Sequence, residues 1–270
     1  MVLTNEAVKR LAADVKCIIR NPIDNIYYMH DEEHILKGYA LIIGPVDTPY
    51  AYGNYLFEFE FPENYPYEPP KVTYLTNDGE MRFNPNLYIN GKVCLSVLNT
   101  WHGEGWTSCQ TISSILLVLS SILNANPLKN EPGINDSNPN IYKYNCLVTY
   151  KNIEYAIFKQ MDIINKYAAS VMNDSMNESM LDMSLNTNTN TNTNTNTNKK
   201  DYYWILYGFR EIILEKYSTN KANIWAKIDA MANEEIYNQH HLNLSTYNLN
   251  IKINLMDLKS NKIKQNIKLT

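Results

Sequence analysis

The sequence predicts an α+β fold, and three observations carry that prediction. Residues 4–20 place apolar side chains at helical spacing. Strand-like runs follow, of which Tyr55–Phe61 alternates cleanly. An apolar helical stripe then occupies Ile112–Leu123. A helix followed by short strands and then by helices is the pattern of an α+β domain.

The first element is an amphipathic helix over residues 4–20. Thr4 or Asn5 can cap it, and Glu6 suits its positive first turn. Val8, Leu11, Ala12, Val15, Ile18 and Ile19 are expected on the core face, with Lys9, Arg10 and Lys16 off it. Asn21-Pro22 ends the helix.

Three strands are predicted next: Tyr39–Ile43, Tyr55–Phe61 and Lys71–Leu75. In the second, Phe57, Phe59 and Phe61 share one face and Glu58 and Glu60 the other. The segment between the second and third holds prolines at 62, 66, 69 and 70. Proline cannot donate to a ladder, so this is an extended corner, and Tyr65-Pro66 is a candidate cis bond.

Beyond the strands, Ile112–Leu123 reads as a buried helix, with Thr107-x-x-Gln110 as its capping box and Asn126-Pro127 as its stop. A long helical pattern runs from about Ile141 to Ala169. Residues 171–200 read as a linker ending in Thr-Asn repeats at 187–198. That tract has no apolar residue to bury and is expected to be disordered. Tyr202–Lys216 and Lys221–Tyr237 both look helical, and Trp204, Tyr207 and Trp225 read as packing residues. The expected division is a core at 1–170, a linker at 171–200, a helical extension at 201–241 and a basic tail at 242–270. That tail carries five lysines against one aspartate. Alternation at Leu249, Ile251, Ile253 and Leu255 leaves it open as strand or loose tail.

Composition narrows the function. The net charge is −4, which argues against nucleic acid as the main partner. The start, MVLTNEAVKR, lacks the apolar segment of a signal peptide, and no apolar run approaches the roughly 20 residues that span a bilayer. The four cysteines form no CxxC, so a disulfide framework or zinc site is not expected, and an intracellular protein is.

The chemistry points to Phe83–Trp106. A cysteine is most often a small buried hydrophobe, and Cys17, Cys109 and Cys146 read that way. Cys94 has more around it. An Asn90-Gly91 turn precedes it, Val93 and Leu95 flank it, and Asn86 could offer an amide N–H to a developing oxyanion. Asn84 and Asn86 taken singly read as turn residues.

The segment FNPNLYINGKVCLSVL resembles the active-site segment of ubiquitin-conjugating enzymes. So does the order around it: the first helix, GPVDTPYAYGNYLFEFEFPENYPYEPPKV, the cysteine, a tryptophan and the apolar helix. The LxTWxGxxW loop and NEPG are similar to the long Z-type members, which also carry a C-terminal helical extension. The resemblance covers about residues 4 to 165. It implies an antiparallel meander of about four strands, with the catalytic loop after it.

It also implies roles. Cys94 would accept ubiquitin or a related modifier as a thioester from an activating enzyme. It would pass it to a substrate lysine, usually with a ligase. No bound cofactor or metal is implied, since the activating enzyme uses the ATP. Asn86 would hold the active-site loop or stabilise the oxyanion, and Glu131 would orient the incoming lysine. Lys9 and Arg10 would meet the activating enzyme; Tyr67, Ser108 and Cys109 would meet the ligase. Asn84 stands where the family usually has histidine, as in the Z-type branch. Ser108 and Cys109 stand where it usually has proline and alanine. A monomer in the cytoplasm, and also the nucleus, is the expected setting, with neither nucleic acid nor membrane as partner.

Two other readings compete. An inactive module with the same fold is disfavoured by the presence of Cys94. A cysteine hydrolase pairing Cys94 with His102 lacks a third group to orient the imidazole.

Overall fold

Helix α1 (Asn5–Arg20) is followed by strands β1 (Ile26–His30), β2 (Lys37–Ile43), β3 (Asn54–Glu60) and β4 (Lys71–Tyr74) in a computed structural model that describes residues 5–174, 199–239 and 241–268. The four strands form one antiparallel meander in the order β1-β2-β3-β4. Only β1 was missed: IYYMH is half-buried and shows no alternation. The expected disorder at 187–198 lies outside the described residues.

The inner face of the sheet builds the larger core. Phe57, Phe59 and Phe61 point into it, as their alternation requires. Helix α2 (Ile112–Ser121) lies in the same core through Ile112, Ile115, Leu116 and Leu119. The cap of α2 differs from the expected one. Thr111 Oγ1 accepts from the Ser114 N–H at 3.2 Å, and Ser114 Oγ accepts from the Thr111 N–H at 3.0 Å. Thr107–Gln110 is instead a separate turn, closed by the Gln110 N–H on the Thr107 carbonyl at 3.0 Å.

Helix α1 also packs on a slightly rotated stripe. Ala7, Leu11, Asp14 and Ile18 are buried, whereas Ala12 is exposed and Ile19 is 73% exposed. Asp14 is tolerated inside because Tyr65 donates to it at 2.6 Å and Arg10 pairs with it at 2.9 Å. The Tyr65-Pro66 bond is cis.

The long helical pattern is realised as α3 (Asn140–Lys151), a π-helical stretch (Asn152–Lys159) and α4 (Gln160–Asp174). At both ends of the π stretch a buried amide reaches back to the sheet region. Asn152 donates to the Ala51 carbonyl at 2.9 Å, and Gln160 donates to the Asn54 carbonyl at 3.0 Å. Such widened turns re-aim side chains.

The outer face of the sheet is covered as well. Tyr39, Leu41, Ile43, Leu56 and Leu75 form a second core with residues of α4, of α5 (Lys199–Gly208) and of α6 (Arg210–Met231). The helix break falls at Gly208-Phe209, not near Ser218. Ser218 and Thr219 sit on the exposed side of α6, and Asn220 bonds back to the Lys216 carbonyl at 2.9 Å. Gly208 packs against Met29, where a Cβ would come within 2.9 Å of the methionine.

After α6 the chain is no loose tail. Strands β5 (His241–Leu244) and β6 (Leu249–Lys252) form a hairpin, and α7 (Leu255–Lys268) follows. Leu242, Leu244, Ile251, Ile253 and Leu258 are buried in the main core. Lys252, by contrast, is exposed on β6.

Candidate functional site

Cys94 lies just beyond the sheet, on a segment tied to two neighbours. Leu87 bridges Val93, and Thr73 at the edge strand β4 bridges Lys92. Gly91 makes the turn before it with φ at 85°, a backbone geometry that favours glycine. Past the cysteine, Thr100 Oγ1 donates to the Val93 carbonyl at 2.7 Å and accepts from the Leu95 N–H at 2.9 Å. The thiol-bearing residue is thus clamped from both sides. Cys94 is 4% exposed.

Asn86 holds it directly. The Cys94 N–H donates to the Asn86 carbonyl at 2.9 Å, and Asn86 Nδ2 donates to the Cys94 carbonyl at 2.8 Å. In this arrangement the amide bonds the backbone of the cysteine loop. Its Oδ1 is buried without a partner among the described residues.

Asn84 is more than a turn residue. It is fully buried. Its Nδ2 donates to the Tyr50 hydroxyl at 2.9 Å and to the Ile122 carbonyl at 2.8 Å. Its Oδ1 accepts from the Asn86 N–H at 2.9 Å and from Asn130 Nδ2 at 3.3 Å. This amide connects the end of α2, the Asn-Pro-Asn turn and the 127–130 turn. An imidazole has no carbonyl oxygen to accept those two donors. Tyr50 and Asn130 are the members of this network that sequence reading gave no role. Asn130 was visible only as the first letter of NEPG.

Glu131 follows Asn130 directly. Its Oε2 accepts from the Tyr247 hydroxyl at 2.8 Å. Tyr247 sits at the tip of the C-terminal hairpin, a contact between residues far apart in sequence. Burial first, and then the Glu131 carboxylate, push the Tyr247 phenol well up, so its hydroxyl stays a donor. The Arg82 guanidinium lies 3.6 Å from the Tyr88 ring centre and 5.4 Å from that of Tyr247.

The other candidate residues gather at the α1 end. Arg10 Nη1 donates to the Ser108 carbonyl at 2.7 Å, and Nη2 reaches the Gln110 carbonyl. The Tyr67 hydroxyl donates to Glu6 at 2.9 Å. Trp106 Nε1 donates to the Pro66 carbonyl at 2.7 Å. Arg10, Tyr67 and Ser108 therefore share one surface, on which Tyr67, Ser108 and Cys109 are exposed. Arg10 is committed to intramolecular bonds there, whereas Lys9 is exposed.

His102 packs its ring beside Trp101, 5.8 Å between centres. Among the described residues no hydrogen bond joins it to Cys94, so the hydrolase pairing gains nothing. Burial pushes the Cys146 thiol up, which fits a packing role. No group of three His, Cys, Asp or Glu among the described residues could hold a metal ion. No helix among them is long and apolar enough to cross a membrane.

Comparison with known proteins agrees with this geometry. The family model described as Ubiquitin-conjugating enzyme matches residues 10–156. The Ubiquitin-conjugating enzyme E2 Z of Xenopus tropicalis is 38% identical over 162 residues, covering 59% of this chain and 52% of that protein. Its human counterpart is 39% identical over 160 residues, covering 58% and 45%. The Putative ubiquitin-conjugating enzyme E2 38 of Arabidopsis thaliana is 36% identical over 176 residues, covering 59% and 53%. The chain spans about half the length of these curated relatives. With its cysteine on a clamped loop beside a four-stranded meander, and with the family model matching from α1 into the long helix, this chain belongs to the ubiquitin-conjugating enzyme family.

Proposed function

We propose that this protein carries ubiquitin, or a related modifier, on Cys94 and transfers it to lysine. The Cys94 thiolate attacks the modifier's C-terminal carbonyl on the activating enzyme's thioester. The activating enzyme's cysteine leaves as thiolate, and a new thioester forms. A lysine amine, or a ligase cysteine, then attacks that carbonyl, and the Cys94 thiolate leaves. The amine's proton passes to water or to a nearby base, and Glu131 is the carboxylate assigned to orient the incoming ammonium.

The observation that carries this reading is the reciprocal pair of hydrogen bonds between Asn86 and Cys94. A nucleophile that must meet two large partners in turn needs a fixed backbone, and that pair provides one. The partners are the modifier, an activating enzyme that consumes the ATP, and a ligase. Docking of the ligase falls to the surface bearing Tyr67, Ser108 and Cys109. Docking of the activating enzyme falls to α1 through exposed Lys9, with Arg10 contributing positive charge to that surface while bonded within the chain. The chain acts as a monomer inside the cell, in the cytoplasm and also the nucleus, without a bound cofactor.

The test is a charging assay with activating enzyme, ATP and modifier. Wild type should form an adduct that thiol reductant removes. Cys94→Ser should form an oxyester that resists it. No adduct with any activating enzyme would instead leave an inactive module of the same fold.

A further inference from the structure

The contact between Glu131 and Tyr247 deepens this reading. We infer that Tyr247, at the tip of the C-terminal hairpin, is a positioning residue for Glu131. The acceptor-lysine side of the site is then assembled jointly by the core and the extension. The inference rests on Glu131 being the lysine-orienting group.

Three features carry it. First, the hydroxyl takes only one carboxylate oxygen. Among the described residues no hydrogen bond reaches Glu131 Oε1, so one oxygen is held at 2.8 Å while the other is open to an ammonium. A carboxylate held by one edge loses rotational freedom before the substrate arrives, and that is how a positioning contact raises a rate.

Second, the hairpin tip is itself fixed. Asn140 Nδ2 donates to Ser245 Oγ at 3.2 Å and to Thr246 Oγ1 at 3.0 Å. Asn248 closes the turn in the left-handed region, with φ at 51°. The Tyr247 ring packs at 5.9 Å on buried Tyr144, whose hydroxyl donates to the Arg82 carbonyl at 2.9 Å. The hydroxyl is therefore delivered by a rigid support, not by a swinging side chain.

Third, the held carboxylate is coupled to the cysteine loop. Asn130, next to Glu131, donates to Asn84; Asn84 accepts from the Asn86 N–H; and Asn86 donates to the Cys94 carbonyl. A displacement of Glu131 and one of the thioester loop meet at the same amide. The extension thus contributes to how the acceptor amine is presented, besides covering apolar surface.

The experiment uses the full chain, charged on Cys94 and purified before discharge. Free lysine and hydroxylamine are the probes. Hydroxylamine is a neutral nucleophile near neutral pH and needs no carboxylate to receive an ammonium. Tyr247→Phe keeps the ring on Tyr144 and beside Arg82 and removes only the donor. The expected result is a three- to tenfold slower discharge to lysine, with a smaller effect on hydroxylamine. Glu131→Gln should give the same selective loss, and adding Tyr247→Phe to it should change little further, because the two act as a unit.

An equal slowing with both nucleophiles, or additive effects in the double variant, would overturn the inference in favour of a purely structural role. If Glu131→Gln is selective and Tyr247→Phe is not, the positioning role alone is wrong. If Glu131→Gln leaves the lysine rate unchanged, the lysine-orienting role of Glu131 is wrong, and the inference falls with it.

Discussion

Asn86 and Cys94 hold each other by two hydrogen bonds, one from each residue. The Cys94 N–H donates to the Asn86 carbonyl at 2.9 Å, and the Asn86 side chain donates to the Cys94 carbonyl at 2.8 Å. The backbone of Cys94 is satisfied by one nearby residue, and that residue is in turn held by Asn84. The arrangement ties the cysteine loop to a stack of asparagine amides.

Asn86→Ala removes the donor and leaves the Cys94 carbonyl without its side-chain partner. An unsatisfied, partly buried group of this kind costs about 1–3 kcal/mol. Where that cost falls on the transition state, at about 1.4 kcal/mol per factor of ten, discharge to lysine should fall by roughly 5- to 140-fold. Single-turnover discharge of the purified thioester measures this. A rate within twofold of wild type would show that the loop holds its shape without the amide.

Arg10, on α1, has a comparable role. One guanidinium reaches Asp14, the Ser108 carbonyl and the Gln110 carbonyl. Arg10→Ala frees the 107–110 turn and takes from Asp14 its ion pair, leaving it the Tyr65 hydroxyl and a 3.4 Å bond from the Ile112 N–H. A loss of about 2–3 kcal/mol in stability is expected. Arg10→Lys should recover little of it, because an ammonium cannot reproduce the planar fork. Urea midpoints of the three proteins decide this, and equal midpoints for lysine and arginine would refute it.

Phe209 tests the docking of the extension. It is 3% exposed, at the break between α5 and α6, within the core on the outer face of the sheet. Phe209→Ala should cost about 3–5 kcal/mol if α5 and α6 fold as part of the same unit as the sheet. A chain ending near Ser170 would expose Leu41 and Leu56 and should bind an apolar dye strongly. Weak dye binding by that shortened chain, with an unchanged melting temperature, would show that the core stands alone.

Much of this protein is legible in its sequence, for identifiable reasons. Period-two and helical spacing are local properties, so α1, β2, β3, β4, α2 and the long helix could be placed with small shifts of boundary. The active-site segment is contiguous, so Cys94 and Asn86 could be picked out together, and the family model matching residues 10–156 bears out the resemblance. Where spacing was weak, placement failed: β1 lacks alternation, and the two helices of the extension break at Gly208, not near Ser218.

Contacts between distant residues needed the tertiary structure. Arg10 reads as a free basic group and proves to be a strut, because two of its three partners, the Ser108 and Gln110 carbonyls, lie about a hundred residues away. Residues 242–270 read as a basic tail because their five lysines stand out, while alternation at Leu249, Ile251, Ile253 and Leu255 fits a strand and a loose tail equally. Folding buries Leu242, Leu244, Ile251, Ile253 and Leu258 in the main core and brings Tyr247 to Glu131 across more than a hundred residues. The sequence by itself determined the candidate cysteine, its loop and the family. Only the tertiary structure decided that the extension covers the outer face of the sheet and reaches Glu131 through Tyr247. Local patterns report the neighbours along the chain, while a hydrogen bond across the fold depends on where every intervening element packs.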